Sequence, residues 1–413
     1  MNFVKTPVKG MPEQTPQDME IREYALRKIK DTYSKFGFMQ ISTPYIEHIQ
    51  NLTGKQGGEN EQLIFKILKR GEKLQNANGL EDMCDSGLRY DLTLPLARFY
   101  ANNCESLPMP FKALQIGDVF RADRPQKGRF RQFTQCDIDI LGDASCLAEI
   151  ELICATTNML CELGINQLKV RINDRNILKA MALCCNFPQD QLDTIFIILD
   201  KMDKIGLDGV KESLVQLGIE QSNVQKYCAF FENLENSQNL EQYLNQFGDF
   251  LPKDIANNLE TIIQTTSQIV DKNCKIVFDP TLVRGMSYYT GTIFEIELEN
   301  YNLSVCGGGR YDKMIGKFCN KDVPACGFSI GFERIISVIK ENNLLPIEQK
   351  EKIAILIAKD CDGNKIKQAI NQATALRAEG KVVMISPKNN NSKFQKETLS
   401  NYGYTKFIEI FND

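Results

Sequence analysis

Between Thr15 and Phe36 the apolar residues Ile21, Ala25, Leu26, Ile29 and Tyr33 recur at helical spacing, and Pro16 suits a first turn, which predicts an amphipathic helix. Gly37 ends it, and Phe38-Met39-Gln40-Ile41-Ser42-Thr43-Pro44 reads as a strand. From Leu88 to Ile140 the pattern is mostly that of strands broken by short helical pieces. From about Asn176 to Val270 it turns helical and polar, interrupted by GIEQSNVQ and LENSQNLEQ, as in an inserted helical domain. Strands return after Lys275. From Lys352 the tail alternates: KIAILIA as strand, Asn364 to Arg377 as helix, KVVMIS as strand, a short helix near Gln395, then KFIEIF. This β-α-β-α-β order predicts a small, mainly parallel sheet. The expected class is α+β, divided into residues 1–175, a helical insertion over 176–270, a return to the first domain over 271–345 and a small α/β domain over 350–413.

Two strand-like segments carry polar residues on one face. The run FRADRPQKGRFRQFTQCDIDILG, from Phe120 to Gly142, is a basic turn followed by a strand. Side chains alternate in an extended chain, so Arg131, Phe133, Gln135, Asp137 and Asp139 share one side, and Phe130, Cys136, Ile138 and Ile140 the other. In LRYDLTLPLAR the same alternation puts Arg89, Asp91 and Thr93 on one face and Leu88, Tyr90, Leu92 and Leu94 opposite. Buried carboxylates are costly unless paired. These aspartates therefore either make structural salt bridges with nearby arginines or, where a cavity opens on their face, hold a cationic group of a ligand.

Three further segments stand out. DPTLVRGMSYYTGTIFE sets Arg284 beside Gly285, followed by the pair Tyr288-Tyr289. In CGGGRYD, from Cys306 to Asp312, the glycines permit close backbone approach to a ligand or to a neighbouring strand. GFSIGFER leads into the helical IISVIKENN and places Arg334 in its first turn, where the helix dipole favours anions, so that arginine points to a ligand.

Composition narrows the chemistry. At 413 residues the chain is too long for one core, and it has no apolar run of membrane-spanning length. Its N-terminus lacks the apolar core of a secretory signal, so the cytoplasm is expected. The 14 cysteines include no C-x-x-C pair, which suits scattered reduced thiols. With His48 the sole histidine, a His-based zinc site and a Ser-His-Asp triad built elsewhere are nearly excluded. Chemistry falls to Arg, Asp, Glu, Tyr and backbone groups. A net charge of −4 argues against a broadly basic nucleic-acid coat but leaves room for a local basic patch.

Taken in order, these segments resemble the class II aminoacyl-tRNA synthetases and, among them, the histidyl-tRNA synthetases over nearly the whole chain. Pro44 matches the motif 1 proline, FRAD through RQF matches motif 2, and GFSIGFER matches motif 3. LVRGMSYYTGTIFE and GGGRYD are similar to the two signature peptides of the histidyl branch, and LRYDLTLPLAR to its amino-acid-binding strand. The resemblance implies an antiparallel-sheet catalytic domain with flanking helices, a helical insertion and a shortened anticodon-binding-like α/β domain. It implies ATP-dependent activation of L-histidine to the adenylate and transfer to the 3′ end of tRNA(His), with Mg²⁺ entering with ATP and no zinc. Arg121 and Arg284 would meet the α-phosphate, Phe133 would stack on adenine with Asp123 near its amino group, and Arg334 would lie against the nucleotide and its γ-phosphate. Asp91, Thr93 and Gln135 would hold the α-ammonium, and Asp139 and Tyr289 the imidazole, with Tyr288 and Arg284 in the same histidine site. Arg124, Gln126, Lys127 and Arg129 would face the acceptor end of tRNA. A cytoplasmic homodimer built through the helix and strand of residues 16–44, with no membrane association, is the expected state. The chain departs from the pattern at Ser287, where the first signature usually carries an acidic residue, and in its short tail. The alternative is a non-charging paralogue, such as a histidine-sensing regulatory subunit of ATP phosphoribosyltransferase.

Overall fold

The computed structural model of the chain describes residues 3–53, 60–79, 81–125, 129–232, 240–284, 288–301, 303–319, 321–344 and 350–412. The chain forms two compact units, one of Met1–Gln14 with Arg22–Asn342 and one of Thr15–Ile21 with Asn343–Asp413. The strands of the larger unit are, in chain order, β1 (Met39–Ile41), β2 (Ile46–His48), β3 (Lys66–Leu68), β4 (Cys84–Leu88), β5 (Phe111–Phe120), β6 (Gln132–Leu141), β7 (Leu168–Asp174), β8 (Cys274–Phe278), β9 (Thr292–Leu298), β10 (Leu303–Arg310) and β11 (Ala325–Gly331). Among the described residues eight of them make one sheet in the order β1-β5-β6-β11-β10-β9-β7-β8. The β1–β5 and β7–β8 pairs are parallel and the rest antiparallel. β2, β4 and β3 form a small antiparallel sheet beside it.

The predicted first helix is present as Pro16–Lys35, burying Ala25, Ile29 and Tyr33, and Gly37 follows it with φ +80°, a left-handed position that glycine takes without strain. The alternation in β6 is also as expected. Ile138 and Ile140 lie in the core on the face away from Asp137 and Asp139, and Phe328 of β11 meets Phe294 of β9 edge to face at 4.6 Å. Helices Leu147–Glu162 and Phe332–Glu341 pack on this sheet.

One segment differs from its prediction. LRYDLTLPLAR is not a strand throughout: β4 ends at Leu88, and Thr93–Asn103 is a helix. The Asp91 carboxylate accepts the Leu94 N–H at 3.1 Å, and Pro95 falls in the first turn where its missing donor costs nothing. These start signals outweigh the apolar alternation. Arg89 consequently turns away from Asp91: it donates to the Thr43 and Asp118 carbonyls and lies 4.3 Å over the Tyr45 ring.

Arg310, in the GGGRYD run, is a structural clamp. It is buried and grips Glu149 with two bonds of 2.7 and 2.6 Å while donating to the carbonyls of Asp143 and Ser145. Removing one partner strands the other charge, so Glu149→Ala is expected to lower unfolding free energy by about 3–5 kcal/mol in urea titrations.

After β7 the described residues between Arg175 and Ile269 are mainly helical, opening with Asp174, whose carboxylate accepts the Asn176 N–H at 2.7 Å as an N-cap. In the smaller unit β12 (Lys352–Ile357) lies between β13 (Val382–Pro387) and β14 (Tyr404–Ile410), parallel to both. Helices Gly363–Ala378 and Ser392–Asn401 complete the β-α-β-α-β order, with Ile353, Ile355, Ala369, Ala373 and Val383 as its core.

Candidate active site

A cavity of about 570 Å³ opens on the polar face of the large sheet. Strand register sets its floor. Asp137 on β6 pairs with Ser329 on β11, Ser329 with Gly307 on β10, Gly307 with Glu295 on β9, and Glu295 with Arg171 on β7. In the neighbouring rows Asp139 faces Gly327, and Gln135 lies between Gly331 and Gly117. Cross-strand partners share a face, so glycines stand beside Gln135, Asp139 and Glu295 and leave bare backbone on which a ligand can lie. A Cβ at Gly327 would fall 1.9 Å from Asp139 Oδ1, and one at Gly307 2.4 to 2.6 Å from the Arg284 guanidinium.

Three arginines line the cavity. Arg121, just past β5, lies over the rings of Tyr90 at 4.2 Å and Phe133 at 5.2 Å, and its Nε donates to the Tyr90 carbonyl. Arg284 Nη1 donates to Glu295 Oε2 at 2.8 Å, and Arg171 also reaches Glu295 at 3.4 Å. Arg334, in the first turn of its helix, donates to the Ser304 carbonyl. Burial lowers the Arg334 pKa, with Arg284 and Arg129 adding to this, though the side chain stays cationic. Asp123 and Arg129 also line the cavity, 3.8 Å apart.

Acidic and aromatic groups line it as well. Asp139 accepts from the Tyr311 hydroxyl at 2.5 Å, and burial raises its pKa to about 7 against the lowering effect of that bond. Burial first, and then the charge of Asp139, push Asp137 well above the ordinary carboxyl range. Asp91 is raised by burial, opposed by the Leu94 N–H and by Arg121. Tyr288 and Tyr289 pack together with ring centres 4.7 Å apart, and Tyr288 meets Tyr311 edge to face at 6.0 Å.

Asp91, Thr93, Gln135 and Asp139 thus meet Arg121, Arg284 and Arg334 in a single cavity, together with Phe133 and both tyrosines. Of the basic turn, Arg124 and Arg129 are exposed, while Gln126 and Lys127 lie outside the described residues, as does Ser287. Sequence reading missed Tyr311, Glu295 and Ser329 in the cavity, and Asp200, Asp203 and Lys204, which the helical stretch brings to its wall. Tyr311, Glu295 and Ser329 sit inside motifs already singled out, so a polar residue within an otherwise apolar or glycine-rich strand was the available signal.

Residues 10–335 match the family model described as Histidyl-tRNA synthetase. A histidine–tRNA ligase of Leifsonia xyli subsp. xyli is 40% identical, with 99% of this chain and 96% of that protein aligned. One from Cytophaga hutchinsonii is 38% identical over 90% of this chain and 84% of its own. Among solved structures, the histidyl-tRNA synthetase of Nostoc sp. PCC 7120 superposes with a TM-score of 0.76 at 26% identity, covering 97% of this chain and 90% of that one. An ATP phosphoribosyltransferase regulatory subunit/histidyl-tRNA synthetase of Bacillus halodurans C superposes over the full length of both chains with a TM-score of 0.78, and at 20% identity this shows a shared fold alone. On the family match and the identity over nearly its whole length, the chain belongs to the histidyl-tRNA synthetase family.

Proposed function

We propose that this chain activates L-histidine with ATP to histidyl adenylate and transfers the histidyl group to the 3′ end of tRNA(His). The observation that carries this reading is one cavity lined both by three arginines and by carboxyl, amide and phenol groups. ATP's phosphates suit the arginines, and an amino acid with a cationic α-group and a ring that makes hydrogen bonds suits the carboxyl, amide and phenol groups.

In the first step the histidine carboxylate attacks the α-phosphorus and pyrophosphate leaves. The nucleophile is ionised at neutral pH, so no general base is needed. Arg121 and Arg284 stabilise the charge that gathers on the α-phosphate, Arg284 being held by Glu295 and Arg121 by its two ring contacts. Phe133 offers its ring to adenine, Asp123 receives the adenine amino group, and Arg334 lies against the nucleotide and its γ-phosphate. Asp91, Thr93 and Gln135 hold the α-ammonium. Asp139, steadied by Tyr311, and Tyr289 bond the two imidazole nitrogens, with Tyr288 packed behind. Magnesium enters as the companion of the ATP phosphates. Among the described residues no three His, Cys, Asp or Glu side chains gather as a metal site.

Histidine-dependent ATP–pyrophosphate exchange, followed by tRNA charging, tests the proposal. Absence of exchange in the unaltered protein would sink the catalytic reading and leave the sensor that shares the Bacillus halodurans fold, whereas exchange without charging would leave a paralogue. Arg284 and Arg334 favour activation, since a sensor of histidine alone has no phosphate to bind.

Three features of the setting support companion proposals. Exposed Arg124 and Arg129 flank the motif 2 turn, which with Gln126 and Lys127 would meet the acceptor end. Arg124→Ala is expected to lower charging about tenfold and leave exchange within about twofold. At the sheet edge Met39 is exposed, as are Tyr45 and Ile46 nearby, which supports a symmetric homodimer through residues 16–44. A monomer in sedimentation at micromolar concentration would refute that. No helix among the described residues is long and apolar enough to cross a membrane, and a cytoplasmic location is proposed on the synthetase reading alone.

Gly307→Ala tests the fit between the floor and Arg284. The added methyl group displaces the guanidinium from Glu295 and is expected to lower exchange about 30-fold, with the melting temperature almost unchanged.

A further inference from the structure

Two buried oxygens on the cavity floor have no hydrogen-bond partner among the described residues, Gln135 Oε1 and Asp137 Oδ1. The two residues are only 9% and 5% exposed, stand two positions apart on one face of β6, and both line the cavity. Gln135 Nε2 donates to Ser329 Oγ at 2.8 Å, and Ser329 pairs with Asp137 across the β6–β11 ladder. The arrangement fixes the amide and leaves an acceptor on each side of the serine. Fully buried acceptors without donors are rare in folded proteins, and in a cavity they mark where a ligand's donors belong.

The number of donors identifies the ligand group. A neutral imidazole carries one N–H and one acceptor nitrogen, so it cannot satisfy two convergent acceptors. Its place is also accounted for at Asp139, one row away, whose Oδ1 is engaged by Tyr311. An ammonium carries three donors. Building on the histidine site proposed above, we propose that Asp137 is a further substrate-binding residue, whose unmet oxygen accepts from the α-ammonium beside Asp91, Thr93 and Gln135. Arg121 lines the same cavity, and an ammonium seated between Asp91 and Asp137 would draw these buried carboxyls toward their ionised forms, so that their charge would offset the arginine's repulsion.

A pair of ligands separates this role from a structural one. L-Histidinol keeps the ammonium and the ring, and imidazolepropionate keeps the ring and lacks the ammonium. By calorimetry, which needs no turnover, Asp137→Asn is expected to weaken histidinol binding about 10- to 100-fold and to change imidazolepropionate binding by less than about threefold. Equal weakening of both ligands would make Asp137 a structural residue, and no change in either would assign its oxygen to water; each result overturns the proposal. If the asparagine variant does not fold, Asp137→Ser is read on the same two ligands. An unaltered protein that binds histidinol without catalysing exchange would sink the catalytic reading and leave this assignment standing. One that binds neither ligand would sink the histidine site itself.

Discussion

Arg284→Ala is expected to lower kcat for histidine-dependent ATP–pyrophosphate exchange by about 10²- to 10³-fold, with a small change in KM for histidine. Removal of one preorganised donor at a site of developing charge has an effect of that order, and Arg284 is preorganised on both sides. Glu295 holds its guanidinium at 2.8 Å, and Gly307 leaves the space it occupies. The loss falls on the chemical step because charge on the α-phosphate grows as the carboxylate attacks. Folding should survive the substitution, since Glu295 retains Arg171 at 3.4 Å and is not left as an isolated buried charge. Arg284→Lys restores the charge without the planar fork, so only partial recovery is expected. Exchange within about threefold of the unaltered protein, in a variant with an unchanged circular-dichroism spectrum and melting temperature, would remove Arg284 from the reaction.

Asp139→Asn is expected to do two opposite things: raise KM for histidine about 100-fold and stabilise the protein at pH 8. The first effect follows from the loss of a charge-assisted bond to the ring. The second follows from proton linkage. Asp139 titrates near 7 in the fold, chiefly because of burial, and an aspartate in the unfolded chain titrates near 3.9. Its folded pKa is raised, so the folded state binds the proton more tightly. The associated stability is fully present below about pH 4 and is lost as pH rises through about 7. At pH 8 the ionised, buried carboxylate therefore costs the fold up to about 4 kcal/mol, a cost that asparagine, which cannot ionise, does not carry. Tyr311 can still donate to the asparagine carbonyl, so the substitution leaves no orphaned hydroxyl. Urea titrations at pH 8 and at pH 4 to 5 read the difference: the gain should be large at pH 8 and fade toward pH 4. A variant no more stable than the unaltered protein at pH 8 would show that Asp139 is not held against its ionisation. A site that is costly to the fold and needed by the substrate is what a stability and activity trade-off looks like at the level of one residue.

Local order supplied what could be read from the sequence. The helix from Pro16, the two faces of β6, the helical run after β7 and the parallel tail each follow from periodicities of 3.6 or 2 and from cap and turn residues close by in the chain. Resemblance to the family groups Asp91, Gln135, Asp139, Arg121, Arg284 and Arg334, and they line one cavity. Local order also misled once. The alternation of LRYDLTL is genuine, yet Asp91 and Pro95 start a helix, so Asp91 reaches the cavity from a loop leading into a helix N-terminus.

The sequence by itself determined the elements, the family and the residue types at the site. Only the tertiary structure decided how those residues act on one another. Glu295 holding Arg284, Tyr311 holding Asp139, and glycines placed beside Asp139 and Glu295 are relations between residues 11 to 188 positions apart, each with at least one partner on a strand of the sheet. No period within one strand encodes its register against another, because register is set where separate apolar faces meet in the core. The same burial lifts Asp139 to about 7 and leaves Asp137 with an unmet acceptor, properties of the surroundings that the letters D-I-D do not contain.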